Sequence, residues 1–338
     1  MSSLCADRAL PITRSPSARS AARLWRNGAQ TMAILSTGTT GAAFTPEEFA
    51  NYFLRHLFPQ SVALSSGIRV LNTDNDTLSI PKMVDDVVSD WTAEAAEISL
   101  SDPSGASVVA VPRKLAALTI VSSETVEDSD PEIAEMIGES LARSMALKFD
   151  LGVYEGNGVA PSIRGFKSVS GIQTLSMGTN GATLTNLDPI ADALGMLREA
   201  DALGSAIVMH PRTWRSITKL KEAGSGNNKP LLADHASSPA GEVGGGARGD
   251  SVGSIYGVRV WLSSQLLIGE TAGTGTALSS VYVYDAPRQI AVLRNDGTIE
   301  ADGSVKFTSD QIAVRGKMRA DMVVPYPESV VRISGIAA

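Results

Sequence analysis

The sequence predicts an α+β fold, in which stretches of strands and stretches of helices follow one another along 338 residues. Three observations support it: residues 67–124 are rich in β-forming residues, a long amphipathic helix is expected after them, and a helix–strand–helix order followed by further strands fills most of the rest. Hydrophobic residues make up 43% of the chain and charged residues 19%, which is ordinary globular usage. The length fits one large domain or two intimate domains with a substantial core.

The first predicted element is an amphipathic helix that begins after Thr45. Its first turn contains one proline and two glutamates, which favour a helix start because proline presets the backbone angle and carboxylates interact well with the helix dipole. Apolar residues recur at helical spacing to about Phe58, so this arm is expected to pack on another surface. His56 lies within this arm and is interpreted as a packed side chain rather than a ligand.

The β-rich stretch contains predicted strands at Leu78–Ile80, Ser107–Val111 and Leu115–Val121. Between Met83 and Pro112 there is no lysine or arginine. The simplest interpretation is a solvated hairpin, and the more specific one is an extended loop that reaches for a basic neighbour. The acidic candidates for this contact are Asp85, Asp86, Asp90, Glu94, Glu97 and Asp102.

A long helix is predicted after Ser129, which has the spacing of a capping box with Glu132 and is followed by a proline in the first turn. Either Gly152 or Gly156 is expected to end it. Its apolar stripe, typical of a core-facing helix, comprises Ile133, Met136, Ile137, Leu141, Met145 and Phe149.

The second half of the chain mixes helices and strands. Asp188 and Pro189 open a helix to about Ala202, and Pro211 opens another that carries Trp214, Ile217 and Leu220. Glycine, serine and asparagine dominate from Ala223 to Gly253, which predicts a long, mobile surface loop. Predicted strands lie at Ala206–Met209, Val258–Leu262, Ser280–Tyr284, Gln289–Arg294, Ile312–Met318 and Met322–Val324.

One of these strands carries a basic face. Arg315, Lys317 and Arg319 alternate with small or apolar residues, and alternate residues of a strand point to the same side of a sheet. This face is the natural complement of the acidic hairpin.

Catalytic and binding motifs are sparse. The three histidines form neither a zinc-protease motif nor part of a hydrolase nucleophile motif. Residues 244–249 match a dinucleotide-binding pattern, but they lie in a polar loop without a preceding strand. Lys229 lacks the spacing of a phosphate-binding loop, and Asp74 and Asp76 lack the glycine and glutamate of a calcium loop. We therefore expect no catalytic residue, cofactor or metal.

The beginning of the chain is basic, although the net charge of the whole chain is −7. Residues 1–31 contain five arginines and one aspartate, as in segments that bind nucleic acid or serve as transit peptides. We favour another interpretation, in which Met32 is the natural start and residues 1–31 come from an upstream start codon. Cys5, the only cysteine, excludes an intramolecular disulfide. Without a long apolar run or a secretory signal, the expected location is intracellular and not in a membrane.

The order of elements resembles the HK97-type major capsid protein family of tailed bacteriophages over about residues 45–336. One departure is Val258, where the family has a proline. The segments that carry the resemblance are Lys114–Leu118 through Ser122–Glu124 and Asp128, Asp150–Gly158 followed by Pro161–Gly165, Val208–Trp214, Tyr256–Val260, and Phe307–Arg319 leading to Val323–Ser329.

The resemblance implies a subunit with an axial domain, a peripheral domain that carries a long spine helix, an extended loop and an N-terminal arm. The expected division is a leader at 1–44 that is disordered or absent, the arm at 45–75, the extended loop hairpin at 76–125, the peripheral domain at 126–186, the axial domain at 187–288, a peripheral hairpin at 289–320 and a return to the axial domain at 321–338.

The function that the resemblance implies is structural. Hexamers and pentamers of the chain would form an icosahedral head around double-stranded DNA, in the virion and assembled in the bacterial cytoplasm. The implied partners are other copies of the chain, a separate scaffold, a portal and a maturation protease, and DNA without sequence-specific binding. An encapsulin, a cellular nanocompartment shell of the same fold around cargo enzymes, is the nearest alternative. A nucleotide-dependent enzyme that uses the glycine-rich loop is the alternative from another class.

The founding member of the family is known for autocatalytic isopeptide cross-links, which require a lysine near the tip of the extended loop. This chain has no lysine from Val84 to Val111, and Lys82 and Lys114 are predicted to lie at the base of the hairpin. Asn295 is a conceivable acceptor. We therefore expect a shell that is held together without covalent bonds.

Overall fold

The computed structural model describes residues 60–94, 97, 100, 102–124, 132–221, 231–232 and 251–337, without the side chains of residues 132–135, 295, 296 and 307. The predicted arm helix with His56, the leader, the helix-opening segment at 129–131 and most of the loop at 223–253 lie outside the described residues. Within the described ranges, no helix combines the length and hydropathy needed to cross a bilayer.

The first sheet has four strands in the order β1-β12-β13-β4. Strand β1 runs parallel to β12, and the other neighbours are antiparallel. The strand bounds are β1 Arg69–Thr73, β4 Arg113–Ser122, β12 Ile290–Lys306 and β13 Gln311–Val323. Helix α2, Glu132–Glu155, follows the short helix α1, Val62–Ser65, in the chain and packs on one face of this sheet. A side chain at Gly316 of β13 would meet Met145 of α2, so a small residue there lets the helix approach the sheet closely.

The second sheet has eight strands, with the order β5-β14-β11-β7-β9-β8 and with β10 and β6 paired to β11 and β14. Helices α3, Asp188–Glu199, and α4, Pro211–Thr218, contribute Ile190, Leu197 and Ile217 to the core on one side of it. The strand bounds are β5 Gln173–Ser176, β6 Ala182–Thr183, β7 Ala206–Met209, β8 Gly253–Ile255, β9 Val258–Leu262, β10 Glu270–Ala272, β11 Gly275–Tyr284 and β14 Val330–Ala337.

A separate hairpin pairs β2, Leu78–Asp85, with β3, Ser104–Ala110, in antiparallel register. Only its base is buried: Ile80 and Ala110 pack on Val292 and Val323 of the four-stranded sheet. Beyond the base the strands leave the body of the protein, because the side chains from Met83 to Glu94 are exposed.

The mixture of separate sheets and helices confirms the predicted α+β class. Helix α2 ends at Glu155, so Gly156 is the stop, and Gly152 lies within the helix. Most of the described apolar stripe is at least partly buried, but Met136 is 62% exposed, so its assignment to the core was wrong for the single chain.

Three strand predictions were wrong in extent. The predicted strands Ile312–Met318 and Met322–Val324 belong to one strand, β13, which ends at Val323. The predicted strand Gln289–Arg294 covers only the beginning of β12, which starts at Ile290 and runs to Lys306. Charged and glycine residues occupy the missing stretches, so local propensity did not indicate a strand. Pairing between β12 and β13 supplies the hydrogen bonds that hold these residues in a ladder.

Candidate assembly surfaces

The projecting hairpin is the most exposed apolar surface among the described residues. Trp91 shows 106% of its reference surface and Leu100 shows 91%. Val87 and Val88 are also more than half exposed. Such side chains are usually covered, so an exposed cluster of this kind marks a contact surface.

All six acidic candidates lie on this hairpin and are exposed, which both the solvated hairpin and the extended loop that reaches a basic neighbour would show. Asp85 accepts a hydrogen bond of 2.5 Å from the Ser104 hydroxyl, which closes the outer end of the ladder. Asp86, Asp90, Glu94, Glu97 and Asp102 follow along the tip. The sequence analysis identified the charges of the hairpin but missed Trp91. The feature that could have indicated it is a large aromatic residue in a stretch that has no apolar periodicity.

The basic side chains of β13 share one exposed face, as predicted, but they already have carboxylate partners in the same chain. Arg315 and Lys317 both bind Glu300 of β12, Lys317 at 2.9 Å. Their hydrogen bonds, Lys317 first, lower the pKa of Glu300 to about 2. The structure brings the basic residues together, and it does not bring them to the acidic hairpin of the same chain.

On the same face, the cross-strand positions at Arg319 carry three cations on neighbouring strands. Arg294, Arg319 and Lys114 lie opposite one another on β12, β13 and β4. Asp76 binds both arginines, at 3.2 Å in the case of Arg319. Lys114 lies at the edge of the sheet and makes no ion pair with a described residue. The row therefore has a surplus of positive charge at the Lys114 end.

Beside that edge lies an apolar groove of about 600 Å³, formed by the start of β4, the last turns of α2 and the loop after it. Phe149, Val159 and Ile163 contribute apolar surface. The cations on its lining are Arg113, Lys114 and Lys148. We call this feature the α2 groove.

The end of α2 is joined to the eight-stranded sheet by a largely buried ion network. Lys167 binds Glu155 of α2 at 2.9 Å and Glu270 of β10 at 2.7 Å, and Arg332 of β14 binds Glu270 at 2.7 Å. Burial alone would raise the pKa of Glu270, but hydrogen bonds from Lys167 and Ser280 and the charge of Arg332 outweigh it and lower the pKa. Burial likewise opposes the charged form of Lys167, and the two glutamates raise its pKa.

An aromatic cluster packs beside this network and carries its own hydrogen bonds. Tyr154, Phe166, Tyr282 and Tyr284 have ring centroids 5.0–6.0 Å apart. The Tyr284 hydroxyl lies 2.7 Å from that of Ser66 and 3.2 Å from that of Tyr154. Burial raises the pKa of Tyr284 to about 12, so its hydroxyl stays protonated. The two sheets are thus joined through α2 by a shared core.

The carboxylate of Asp150 ties α2 to the start of the described chain. It is fully buried and accepts hydrogen bonds from the Ser61 hydroxyl at 2.5 Å and from the backbone amides of Val62 and Ala63 at 2.9 and 3.1 Å. The contact fixes α1 against α2. Sequence reasoning missed it, because the partners are 87–89 residues apart.

Nothing in these surfaces resembles a metal centre: no group of three or more potential ligand side chains is arranged to hold an ion among the described residues. His210 accepts a hydrogen bond of 3.0 Å from the backbone amide of Arg212, so its imidazole caps α4. Burial and the charge of Arg212 lower the pKa of His210.

Comparison with known proteins shows which family the chain resembles. The model of the Phage capsid family matches residues 41–335. The major capsid protein of Enterobacteria phage HK97 is 29% identical over 109 residues, which cover 32% of this chain and 28% of that protein. The matched region therefore spans less than a third of that relative's length.

Solved structures extend the likeness over most of the chain. The capsid of an empty GTA particle computed with C5 symmetry gives a TM-score of 0.62 at 16% identity, covering 90% of this chain and 94% of that one. A structure from Mycobacterium phage Bobi gives 0.60 at 17% identity, covering 82% and 91%. At these identities the likeness shows the fold. Because the family model covers nearly the whole chain and the fold agrees, the chain belongs to the Phage capsid family and has the HK97-like capsid fold.

Proposed function

We propose that this member of the Phage capsid family is the major, shell-building subunit of a phage head, self-assembling into hexamers and pentamers around double-stranded DNA. The observation that carries the proposal is the family match across residues 41–335. The exposed hairpin supplies its physical reason, since a chain that leaves Trp91 and Leu100 uncovered gains stability when another copy buries them.

The two sheets fit the two domains of such a subunit. The four-stranded sheet with α2 corresponds to the peripheral domain and its spine helix, and the eight-stranded sheet corresponds to the axial domain. The hairpin β2–β3 corresponds to the extended loop. In a symmetric shell each contact is repeated many times, so individually weak contacts close a stable particle.

The remaining partners follow from this role. We expect a separate scaffold protein, a portal and a maturation protease, with assembly in the bacterial cytoplasm. A chain with a net charge of −7 has little electrostatic attraction for DNA phosphates, which suits packaging and release.

Membership of the Phage capsid family supports a structural role. We propose, further, that the chain is not an enzyme. The glycine-rich segment 244–249 of the enzymatic alternative lies outside the described residues. An encapsulin-type shell has the same fold, but the phage HK97 and GTA capsids among the relatives do not favour it.

Sedimentation velocity tests self-association directly. The purified full chain should sediment as capsomers or as closed shells over a range of salt and protein concentrations. A stable monomer under every condition, including the presence of the co-expressed scaffold, would contradict the proposal.

The acidic hairpin gives a second test. Glu94→Lys together with Glu97→Lys should impair assembly while leaving the circular dichroism and melting temperature of the unassembled subunit unchanged, because both side chains are exposed. Exposed ion pairs contribute only about 0.2–1 kcal/mol each, so the expected effect is about a tenfold rise in the concentration needed for shells.

The matched control for this test is Asp192→Lys with Glu199→Lys, which makes the same charge change at exposed positions on α3. Normal assembly of the hairpin variant, or equal impairment of the control, would count against a specific role of the acidic hairpin.

Mature particles should lack covalent cross-links. The hairpin carries no lysine from Val84 to Val111. Lys82 lies opposite Ala106, further along the ladder than predicted, and Lys114 lies in β4 rather than in the hairpin. Even Lys82 is three residues short of the last pair, about 10 Å at ~3.3 Å per residue. Particles boiled in denaturant should give one subunit band, and a ladder that survives denaturant and reductant would contradict this expectation.

A further inference from the structure

We propose that the open edge of β4 is a docking site to which a different protein adds an extended strand with acidic and apolar side chains. We call this edge, the side of residues 113–122 that points away from β13, the β4 edge. The proposal goes beyond shell-building, because the partner is not a second copy of the chain. Its failure would leave the proposed function intact.

The β4 edge offers backbone groups for pairing. β4 is the last strand of the four-stranded sheet, and among the described residues only β13 pairs with it. In an antiparallel ladder every second residue directs its N–H and C=O groups away from the partner strand. The strand Arg113–Ser122 therefore presents a row of donors and acceptors that an added strand can bind.

The β4 edge also lacks the features that usually protect an edge strand. Proteins block such edges with prolines, bulges, short strands or charges. β4 has ten residues, contains no proline and pairs with β13 without a register shift. Leu118 and Ile120 are 66% and 46% exposed, and the only charge among the fully exposed side chains of β4 is Lys114, close to one end. A long, regular edge of this kind favours the addition of another strand.

The sheet face beside the edge is basic. Gly316 lies against Met145 of α2, so the alternate residues of β13 belong to the opposite face. Within the ladder of β4 and β13, that face carries four cations and no carboxylate. The four cations are Lys114, Arg315, Lys317 and Arg319.

The carboxylates that bind these cations lie on the far side of β13. Glu300, the partner of Arg315 and Lys317, belongs to β12, and Asp76, the partner of Arg319, follows β1. Neighbouring strands are separated by ~4.8 Å, so an added strand would lie about 10 Å from β13 and about 14 Å from β12. Carboxylates on the added strand are therefore attracted to Lys114 and to the cations of β13 without displacing Glu300. This charge distribution selects an acidic partner.

A second copy of β4 is a poorer occupant. Two β4 edges paired about a twofold axis would place two basic faces side by side, with four cations from each copy and no carboxylate in either ladder. Like charges on neighbouring strands are destabilising. The partner that fits is an extended segment in which apolar side chains lie beside Leu118 and Ile120 and a carboxylate lies beside Lys114.

Peptide binding to the unassembled full chain tests the docking. The probe is a fluorescent synthetic peptide in which one glutamate and two valines alternate with threonines, and fluorescence anisotropy measures its binding. We expect saturable binding and slower amide hydrogen exchange in β4. Replacement of the central threonine of the peptide by proline removes a backbone donor, and replacement of its glutamate by lysine reverses the charge. Each change should weaken binding at least tenfold.

Variants of the chain locate the site. Leu118→Lys together with Ile120→Lys should weaken peptide binding at least tenfold, because the added charges repel one another and remove the apolar contact. Leu203→Lys together with Val252→Lys is the matched control at exposed positions outside β4, and it should bind the peptide as the unsubstituted chain does.

Absence of peptide binding, equal binding of the proline peptide, or unchanged binding by the β4 variant would overturn the proposal. Sedimentation velocity adds a further outcome. Loss of capsomers in the β4 variant, with normal capsomers in the control variant, would show that the edge joins copies of this chain, which would also overturn docking of a different protein.

Discussion

Asp150→Ala is expected to lower the free energy of unfolding of the unassembled subunit by about 3–5 kcal/mol, the largest loss that we predict for a single side chain. The substitution removes one acceptor group and leaves three buried donors, the Ser61 hydroxyl and the amides of Val62 and Ala63, without it. A buried donor without an acceptor costs about 1–3 kcal/mol. Urea denaturation of the subunit measures the loss.

Two control variants separate the buried contact from a general effect of charge. Asp150→Asn keeps the shape and one carbonyl acceptor, so an intermediate loss is expected. Asp188→Ala removes an exposed carboxylate in the first turn of α3 and should cost no more than about 1 kcal/mol. A loss at Asp150→Ala as small as that at Asp188→Ala would show that the chain accommodates the buried donors in another way.

Gly165→Ala is the second large effect, with an expected loss of about 3 kcal/mol or more. A Cβ atom at this position would lie closer than 3.0 Å to backbone atoms of Gly152, Val153 and Gly156, distances that real Cβ atoms essentially never show. The backbone hydrogen bond of 3.0 Å from Gly165 to Gly156 would also be strained. Because the obstacles are main-chain atoms, no side chain can rotate away, and the segment after α2 must shift.

Gly138→Ala is the matched control for this substitution. Gly138 lies inside α2, and a Cβ atom there would meet nothing within 4 Å. The change should stabilise the subunit by about 0.5–1 kcal/mol, because alanine has the higher helix propensity. Thermal or urea denaturation should therefore move the two variants in opposite directions. Equal stability of Gly165→Ala and the unsubstituted chain would refute the close approach at the end of α2.

The sequence was informative wherever the structure follows local rules. Pro189 and Pro211 mark the beginnings of α3 and α4, and Gly156 follows the last residue of α2. Alternation along β13 placed Arg315, Lys317 and Arg319 on one face. These features depend on residues that are near one another in the chain, which is the range over which propensity and periodicity operate.

What the sequence did not reveal depends on distant partners. The outer half of β12 is a strand because β13 pairs with it, although residues such as Gly303 disfavour strands. Glu155, Lys167 and Glu270 meet only after both sheets have formed, so no motif indicates their network. The α2 groove likewise combines β4, the end of α2 and Leu267, which are far apart in the chain.

Imaging of the purified full chain by negative-stain electron microscopy tests the central claim most directly. Shell-building predicts closed, icosahedral particles of uniform diameter, or hexameric and pentameric capsomers when the scaffold is absent. A field of discrete monomers, with the scaffold supplied and under every condition of salt and concentration, would contradict the claim.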